Sequence, residues 1–385
     1  MADYPLKELD GRTPLEAAKT ANMDEVARLG QVGFARMIPA GFAPGSDVAM
    51  LSILGYDPRR YYTGRAPLEA AKLGIELGTE LVAFRCNLIT VDNRRITDYS
   101  GGHISDGEAE ELIRFLDQQL GGDYVKFYPG VSYRHICVIK DINLIRLGCT
   151  PPHDVIGEPV EENLPRGEGA QQVVSLMEDS YELLRDHDIN KARIDRGQNP
   201  ANMIWLWGQG QSSSLPLFKE RFGIGGGVIS AVDLVKGMTK LIGLDPIEVP
   251  GATGYYDTDY EAKANYALKC LEEEPFVLVH VEAPDEASHN GDLDQKIKAI
   301  EDFDQLIVGT IKDSLCQEPA FRLLVLPDHA TPIQLRTHTS DPVPFAWCGH
   351  SIMSDEVDVF SERDAARSPL QLTDGCELMG QFINH

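Results

Sequence analysis

The chain has 385 residues, 43% of them hydrophobic, enough for large buried cores and two domains of ordinary size. Its formal charge of -25 and pI near 4.7 argue against a nucleic-acid or acidic-membrane surface, because phosphates would be repelled, so an anionic substrate needs a local basic pocket. No stretch approaches the roughly 20 apolar residues of a membrane span, the first ten residues lack a signal sequence, and seven cysteines without a Cys-x-x-Cys pair offer neither a disulfide framework nor a zinc knuckle; the expected compartment is the cytoplasm.

Along the chain, Thr13-Pro14-Leu15-Glu16 reads as a helix start, with a capping hydroxyl, a proline at the first helical position and an acid in the first turn. Pro44-Gly45-Ser46-Asp47 sets a serine behind a glycine that lets the backbone turn, ahead of an apolar run over 48–54 that reads as a helix. Taken alone, Ser46 is a helix cap. The segment 66–72 nearly repeats 13–19, which we attribute to shared helix-start chemistry, since nothing around the two is similar.

From about 81 to 169 come strands, a helix over 106–120, another strand, and loops rich in Pro, Gly and Glu. This predicts a smaller α+β domain (81–169) inserted into a core formed by 1–80 and 170–385. In the C-terminal half, short apolar strands over 227–231, 276–281 and 321–326 alternate with helical stretches. Ile297, Ile300, Phe303, Ile307 and Ile311 recur at spacings of three and four and so share one buried helix face. Strand, helix, strand implies a mostly parallel sheet with helices on both faces, an α/β fold.

Chemistry concentrates where those strands end. Asp285 and His289 lie four apart, just after Pro284, which can start a helix, so both side chains face one point. The next strand runs into Asp328-His329, and His338 follows shortly after. Open α/β sheets gather ligands beyond the carboxyl ends of their strands. Mixed imidazole and carboxylate ligands suit manganese or zinc better than calcium, and paired ions are a recurrent device for phosphoryl transfer. Ser46, at a helix N-terminus, is the candidate nucleophile. Gly223 to Gly227 precedes a strand rather than opening a helix, the wrong order for a phosphate loop. His103, His153 and His350 lack a partner at a ligand spacing, and the stretch from Trp205 to Gly210 reads as packing at a domain junction.

The run Ile38-Pro39-Ala40-Gly41-Phe42-Ala43-Pro44-Gly45-Ser46-Asp47-Val48-Ala49, then Leu54-Gly55-Tyr56-Asp57-Pro58 and Tyr61-Tyr62-Thr63-Gly64-Arg65, resembles the archaeal-type, 2,3-bisphosphoglycerate-independent phosphoglycerate mutases of the alkaline phosphatase superfamily. The resemblance extends over the whole chain, through Ala83-Phe84-Arg85-Cys86-Asn87 and Tyr133-Arg134-His135 to the three metal clusters. It implies that Ser46 is phosphorylated and shares a second metal with Asp328 and His329, while Asp285, His289 and His338 hold the first. It implies two divalent ions, manganese first with zinc, magnesium or cobalt as alternatives, and no 2,3-bisphosphoglycerate. Arg85, Asn87, Arg134, His135 and Asp154 match positions expected to hold the phosphate and carboxylate of a small acid substrate or to move protons, and arginine forks suit both anions.

Members of that family begin with an apolar strand ending in an Asp-Gly pair, whose aspartate binds the second metal. Here it is absent. We expect a truncated start that leaves a gap in the sheet core; the alternatives are Asp3 or Asp47 as a substitute, or a second metal site short of a ligand. Three functions follow: the mutase; a homoserine kinase of threonine biosynthesis, a subgroup resembled by Cys149-Thr150-Pro151-Pro152-His153-Asp154 and Tyr99-Ser100-Gly101-Gly102-His103; and an inactive member of the family.

Overall fold

The computed structural model describes residues 1–212, 214–318 and 320–384. Its strands, in chain order, are β1 (Gly30–Ala35), β2 (Val82–Asp92), β3 (Arg95–Asp98), β4 (Val125–Val131), β5 (Arg134–Ile139), β6 (Met203–Gly210), β7 (Gly227–Ile229), β8 (Asp245–Ile247), β9 (Val277–Val279), β10 (Arg322–Val325), β11 (Val343–Gly349) and β12 (Gln371–Leu372). The fold is mixed α/β, with two compact units: Met1–Tyr62 with Leu215–His385, and Thr63–Ser214. None of the described helices is long and apolar enough to cross a membrane.

In the first unit, β7 is flanked in parallel by β8 and β9, and the helices Asp233–Leu241 and Tyr260–Leu271 supply the crossovers that parallel pairing demands. The other sheet runs β10-β11-β1-β12, with β11 antiparallel to both β10 and β1. No helix intervenes between β10 and β11, so the chain returns antiparallel. β7, β8 and β9 thus pair in parallel through crossover helices, whereas β10 and β11, joined without one, pair antiparallel. The helical stripe holds: Ile300, Ile307 and Ile311 are buried. The sequence pattern did not show that the helix loosens into a π turn over Phe303–Gly309, where the buried carboxylate of Asp304 accepts from the backbone N–H groups of Asn22 and Met23.

β9 ends one sheet and β10 begins the other. A cavity of about 1050 Å³ lies beside both, lined by Val277, Val279, Leu323 and Val325 and reaching Ser46, Asp285, Asp328 and His329.

The second unit is an antiparallel sheet, β3-β2-β5-β4 with β6 on β2. Alternation along β2 sends Phe84, Cys86 and Leu88 into a core shared with Leu112, Leu116, Val173 and Met177 from the helices Asp106–Leu120 and Ala170–Leu184. Against the opposite face, Ala66 and Ala70 of the helix Ala66–Lys72 meet Ala83, Ile136 and Val138. This unit is larger than the span 81–169 because β6, the helix Ala170–Leu184 and the helix Ala66–Lys72 all bury their apolar faces on β2 or its neighbours. The near-repeat ends in the two units separately: Thr13 caps Pro14–Ala17 through a reciprocal bond with Glu16, while Ala66–Lys72 has no side-chain cap.

Candidate metal centre and nucleophile

Ser46 opens the eight-residue helix Ser46–Ile53, and Gly45, not Ser46, occupies the capping position. Relieved of capping, the Ser46 hydroxyl lies 3.0 Å from Nε2 of His329. Its neighbour Asp47 accepts from the Tyr62 hydroxyl at 2.6 Å and from the Val48 N–H.

Asp285 and His289 sit one turn apart on the helix Ala283–Asn290, started by Pro284 and ended by Gly291. Gly291 has a φ of 70°, a left-handed conformation that glycine adopts without strain. Arg336 turns its carbonyl to Nδ1 of His289 at 2.9 Å. That bond requires a proton on Nδ1 and aims Nε2 inward, 3.2 Å from Asp285 Oδ2 and 2.9 Å from Nε2 of His338. His338 Nε2 is itself 3.4 Å from the same oxygen. An antiparallel bridge between Ala330 and Thr339 folds the loop so that His338 returns beside His329, ring centroids 4.0 Å apart.

Asp328 and His329 follow β10. His329 is buried, with Nε2 3.2 Å from Asp328 Oδ2 and Nδ1 3.1 Å from the Thr331 hydroxyl, which also bonds Asp285. Burial drives the His329 imidazole below its ordinary pKa. Burial also works to raise Asp285 and Asp328, but hydrogen bonds from His289 and His338 hold Asp285 well below the carboxylate range, and the neighbouring imidazoles of His329 and His280 lower Asp328. His289, paired with Asp285, is raised to about 9. Ligand atoms of Asp285, His329 and His338 lie within 4.8 Å of one another. Mixed imidazole and carboxylate donors of this kind suit a divalent transition metal. The structure thus draws together Ser46, Asp285, His289, Asp328, His329 and His338.

The proposed stand-ins are occupied elsewhere. Asp3 forms a fully buried ion pair with Lys296 at 2.6 Å and accepts from the Ile333 N–H, and Asp47 is held as above. Three neighbours escaped the sequence reading: Thr331, Lys296 and His280, whose Nδ1 is 3.1 Å from the Ser230 hydroxyl. His280 carried a legible signal, standing one residue past β9 as the metal cluster stands past β10. Thr331 and Lys296 carried none.

In the second unit, Arg85 is 6% exposed, its guanidinium 4.2 Å from the centre of the Trp207 ring and its Nε 3.0 Å from Glu69. Burial pushes it down to about 10. Asn87 accepts from Trp207 Nε1 at 3.1 Å and is paired with Arg134 across β2 and β5, so Arg85, Asn87 and Arg134 share a face. His135 pairs with Cys86 and faces the core. Its Nδ1 accepts from the Gly130 N–H and its buried Nε2 has no partner among the described residues; burial depresses it to about 3. Asp154 is exposed, 3.7 Å from His153. Trp207, Tyr99 and His153, absent from the predicted site, stack edge-on beside these arginines.

A sequence model described as 2,3-bisphosphoglycerate-independent phosphoglycerate mutase matches residues 27–190. A protein of that name from Methanosarcina acetivorans is 50% identical over 385 residues, covering 100% of this chain and 97% of the relative. A second, numbered 2, from Methanothermobacter thermautotrophicus, is 52% identical over 363 residues, 94% of this chain and 90% of the relative. Among solved structures, a Pyrococcus horikoshii protein superposes with a TM-score of 0.82 at 30% identity, covering 100% of this chain and 95% of the other. The cofactor-independent phosphoglycerate mutase of Thermoplasma acidophilum gives 0.68 at 28%, covering 100% and 96%. With half its residues shared along its full length, the chain belongs to the 2,3-bisphosphoglycerate-independent phosphoglycerate mutase family.

Proposed function

We propose that this chain interconverts 3-phosphoglycerate and 2-phosphoglycerate through a phosphoserine at Ser46, without 2,3-bisphosphoglycerate. The reading is carried by one observation: a serine hydroxyl released from capping stands 3.0 Å from His329 within a convergence of imidazoles and carboxylates. Asp285, His289 and His338 would hold one divalent ion, and Ser46, Asp328 and His329 a second, with manganese the first choice and zinc, magnesium or cobalt the alternatives. Such ions activate a hydroxyl and neutralise phosphoryl oxygens.

Ser46 Oγ bonds phosphorus as the bond from phosphorus to the substrate's 3-oxygen breaks; Ser46 gives up a proton and the 3-hydroxyl gains one. The 2-hydroxyl then takes the phosphoryl group from Ser46 with the reverse exchange. The N-terminus of the helix Ser46–Ile53 favours the phosphate charge while it is carried there. In the second unit, Arg85 and Arg134 bind the carboxylate and phosphate as charge-assisted forks and Asn87 donates to them. Exposed Asp154 is the candidate to move protons at the glycerate hydroxyls, and His135 supports the strand from behind. The acidic chain is read as cytoplasmic, with a small phosphorylated acid as partner and neither nucleic acid nor membrane.

The test loads the protein with manganese and supplies 3-phosphoglycerate, and separately homoserine with ATP. Formation of 2-phosphoglycerate alone is expected. Phosphohomoserine alone would replace this reading with the kinase, and neither product would leave an inactive member of the family.

A further inference from the structure

Thr331 touches neither the nucleophile nor, in the assignment above, an ion, yet both halves of the ligand set rest on it. Its side chain is buried, 3% exposed. Its backbone is clamped on both sides: the N–H donates to the Ala2 carbonyl at 3.2 Å, and the carbonyl accepts from Lys296 Nζ at 2.9 Å. Lys296 is in turn locked by the buried Asp3. The hydroxyl therefore has little freedom of aim.

A hydroxyl has one hydrogen and two lone pairs. Here the hydrogen goes to Oδ1 of Asp285, because an ionised carboxylate only accepts. Towards Nδ1 of His329, 3.1 Å away, the same oxygen can then only accept, and Nδ1 must carry the ring proton. Nε2 is the nitrogen turned to Ser46 Oγ at 3.0 Å and to Asp328 Oδ2 at 3.2 Å. One hydroxyl thus orders the donors from His329 to Thr331 to Asp285, and these bonds cross from the residues assigned to the second ion to those assigned to the first.

We propose that Thr331 is a positioning residue that couples the two ion sites, fixing His329 in the tautomer that presents Nε2 and holding the Asp285 carboxylate in the same bond. The inference rests on the two-ion reading of the site. It explains why a buried hydroxyl is spent between two ligands when a methyl group would fill the space: partners of this kind set ligand tautomer and orientation, and their loss costs about 10–100-fold in metal affinity.

The experiment titrates Mn²⁺ into the metal-free full chain and reads unbound ion by electron paramagnetic resonance, for the unaltered protein, Thr331→Val and Thr331→Ser. Thr331→Val keeps the shape and loses the hydroxyl; it should weaken both ions by about 10–100-fold, and Thr331→Ser should restore binding. In the metal-free protein, nitrogen NMR of the imidazoles should find the His329 proton on Nδ1, a measurement that needs no variant to fold. Equal Mn²⁺ affinity in the unaltered protein and Thr331→Val, or a His329 ring with no proton on Nδ1, overturns the coupling and leaves the two-ion reading standing. No Mn²⁺ binding by the unaltered protein removes both.

Discussion

The metal end of the first unit and the arginine face of the second are both polar clusters on sheets, but they are built in opposite ways. Around Asp285 and His329, side chains project from loops and a helix start just past strands, and the rings of His289 and His329 each have one nitrogen tied to a fixed acceptor so that the other is aimed. Opposite charges meet directly, which holds carboxylates ionised and raises His289. Around Arg85, the groups stand on the faces of β2 and β5, and the cation lies over an aromatic ring with one carboxylate beside it. Burial prevails there, lowering both Arg85 and His135. The first arrangement gathers carboxylates and imidazoles at one point, and the second spreads cations along strand faces.

The largest effect that would sharpen this contrast comes from Ser46→Ala. With Gly45 as the cap, the helix should persist while mutase turnover falls by about 10⁴-fold or more, as for loss of a nucleophile; turnover within tenfold of the unaltered protein would remove Ser46 from the mechanism. Next, Lys296→Met should strand the buried Asp3 and cost about 3–5 kcal/mol in urea unfolding, whereas Lys296→Met with Asp3→Leu should recover most of it. A double variant no better than the single one would show that the pair itself is not what anchors the loop. Arg85→Lys keeps the charge but gives up the planar stack on Trp207, worth about 0.5–2 kcal/mol, and should raise KM by about 2–30-fold with little change in melting temperature; an unchanged KM would detach this face from substrate binding.

The smallest effect separates the regions by sign. In the metal-free protein, His289 binds its proton more tightly folded than unfolded, so its contribution is full below about 6.5, the ordinary histidine value, and is lost as pH rises through about 9. His135 is held neutral with a pKa of about 3, so its region is at full stability above about 6.5 and loses it as pH falls towards that value. Melting temperatures across this range should show His289→Gln flattening the alkaline limb and His135→Leu the acid limb. If either variant flattened the other limb, the assignment of cause would be reversed.

Much of the site could be read along the chain because local geometry dictates it. A helix turn after Pro284 puts Asp285 and His289 on one side whatever surrounds them, and a strand that runs out at Val325 must release Asp328 and His329 at its end. Even the separation of Arg134 from His135 was legible, since neighbours on a strand face opposite ways, although both were assigned to substrate. The edges of the insert were not, because β6 is placed by β2, more than about a hundred residues earlier in sequence, and the helix Ala170–Leu184 packs on β6.

The sequence by itself determined the fold class and which side chains, Ser46 among them, stand at helix starts and strand ends, because turn, helix and strand-end chemistry act over a few residues. Only the tertiary structure decided that Gly45 rather than Ser46 caps its helix, that Asp3 is paired with Lys296, and that Thr331 stands between His329 and Asp285. Those outcomes depend on which distant groups share one buried, low-dielectric pocket, where each donor must find an acceptor, and short-range pattern holds no record of that pairing.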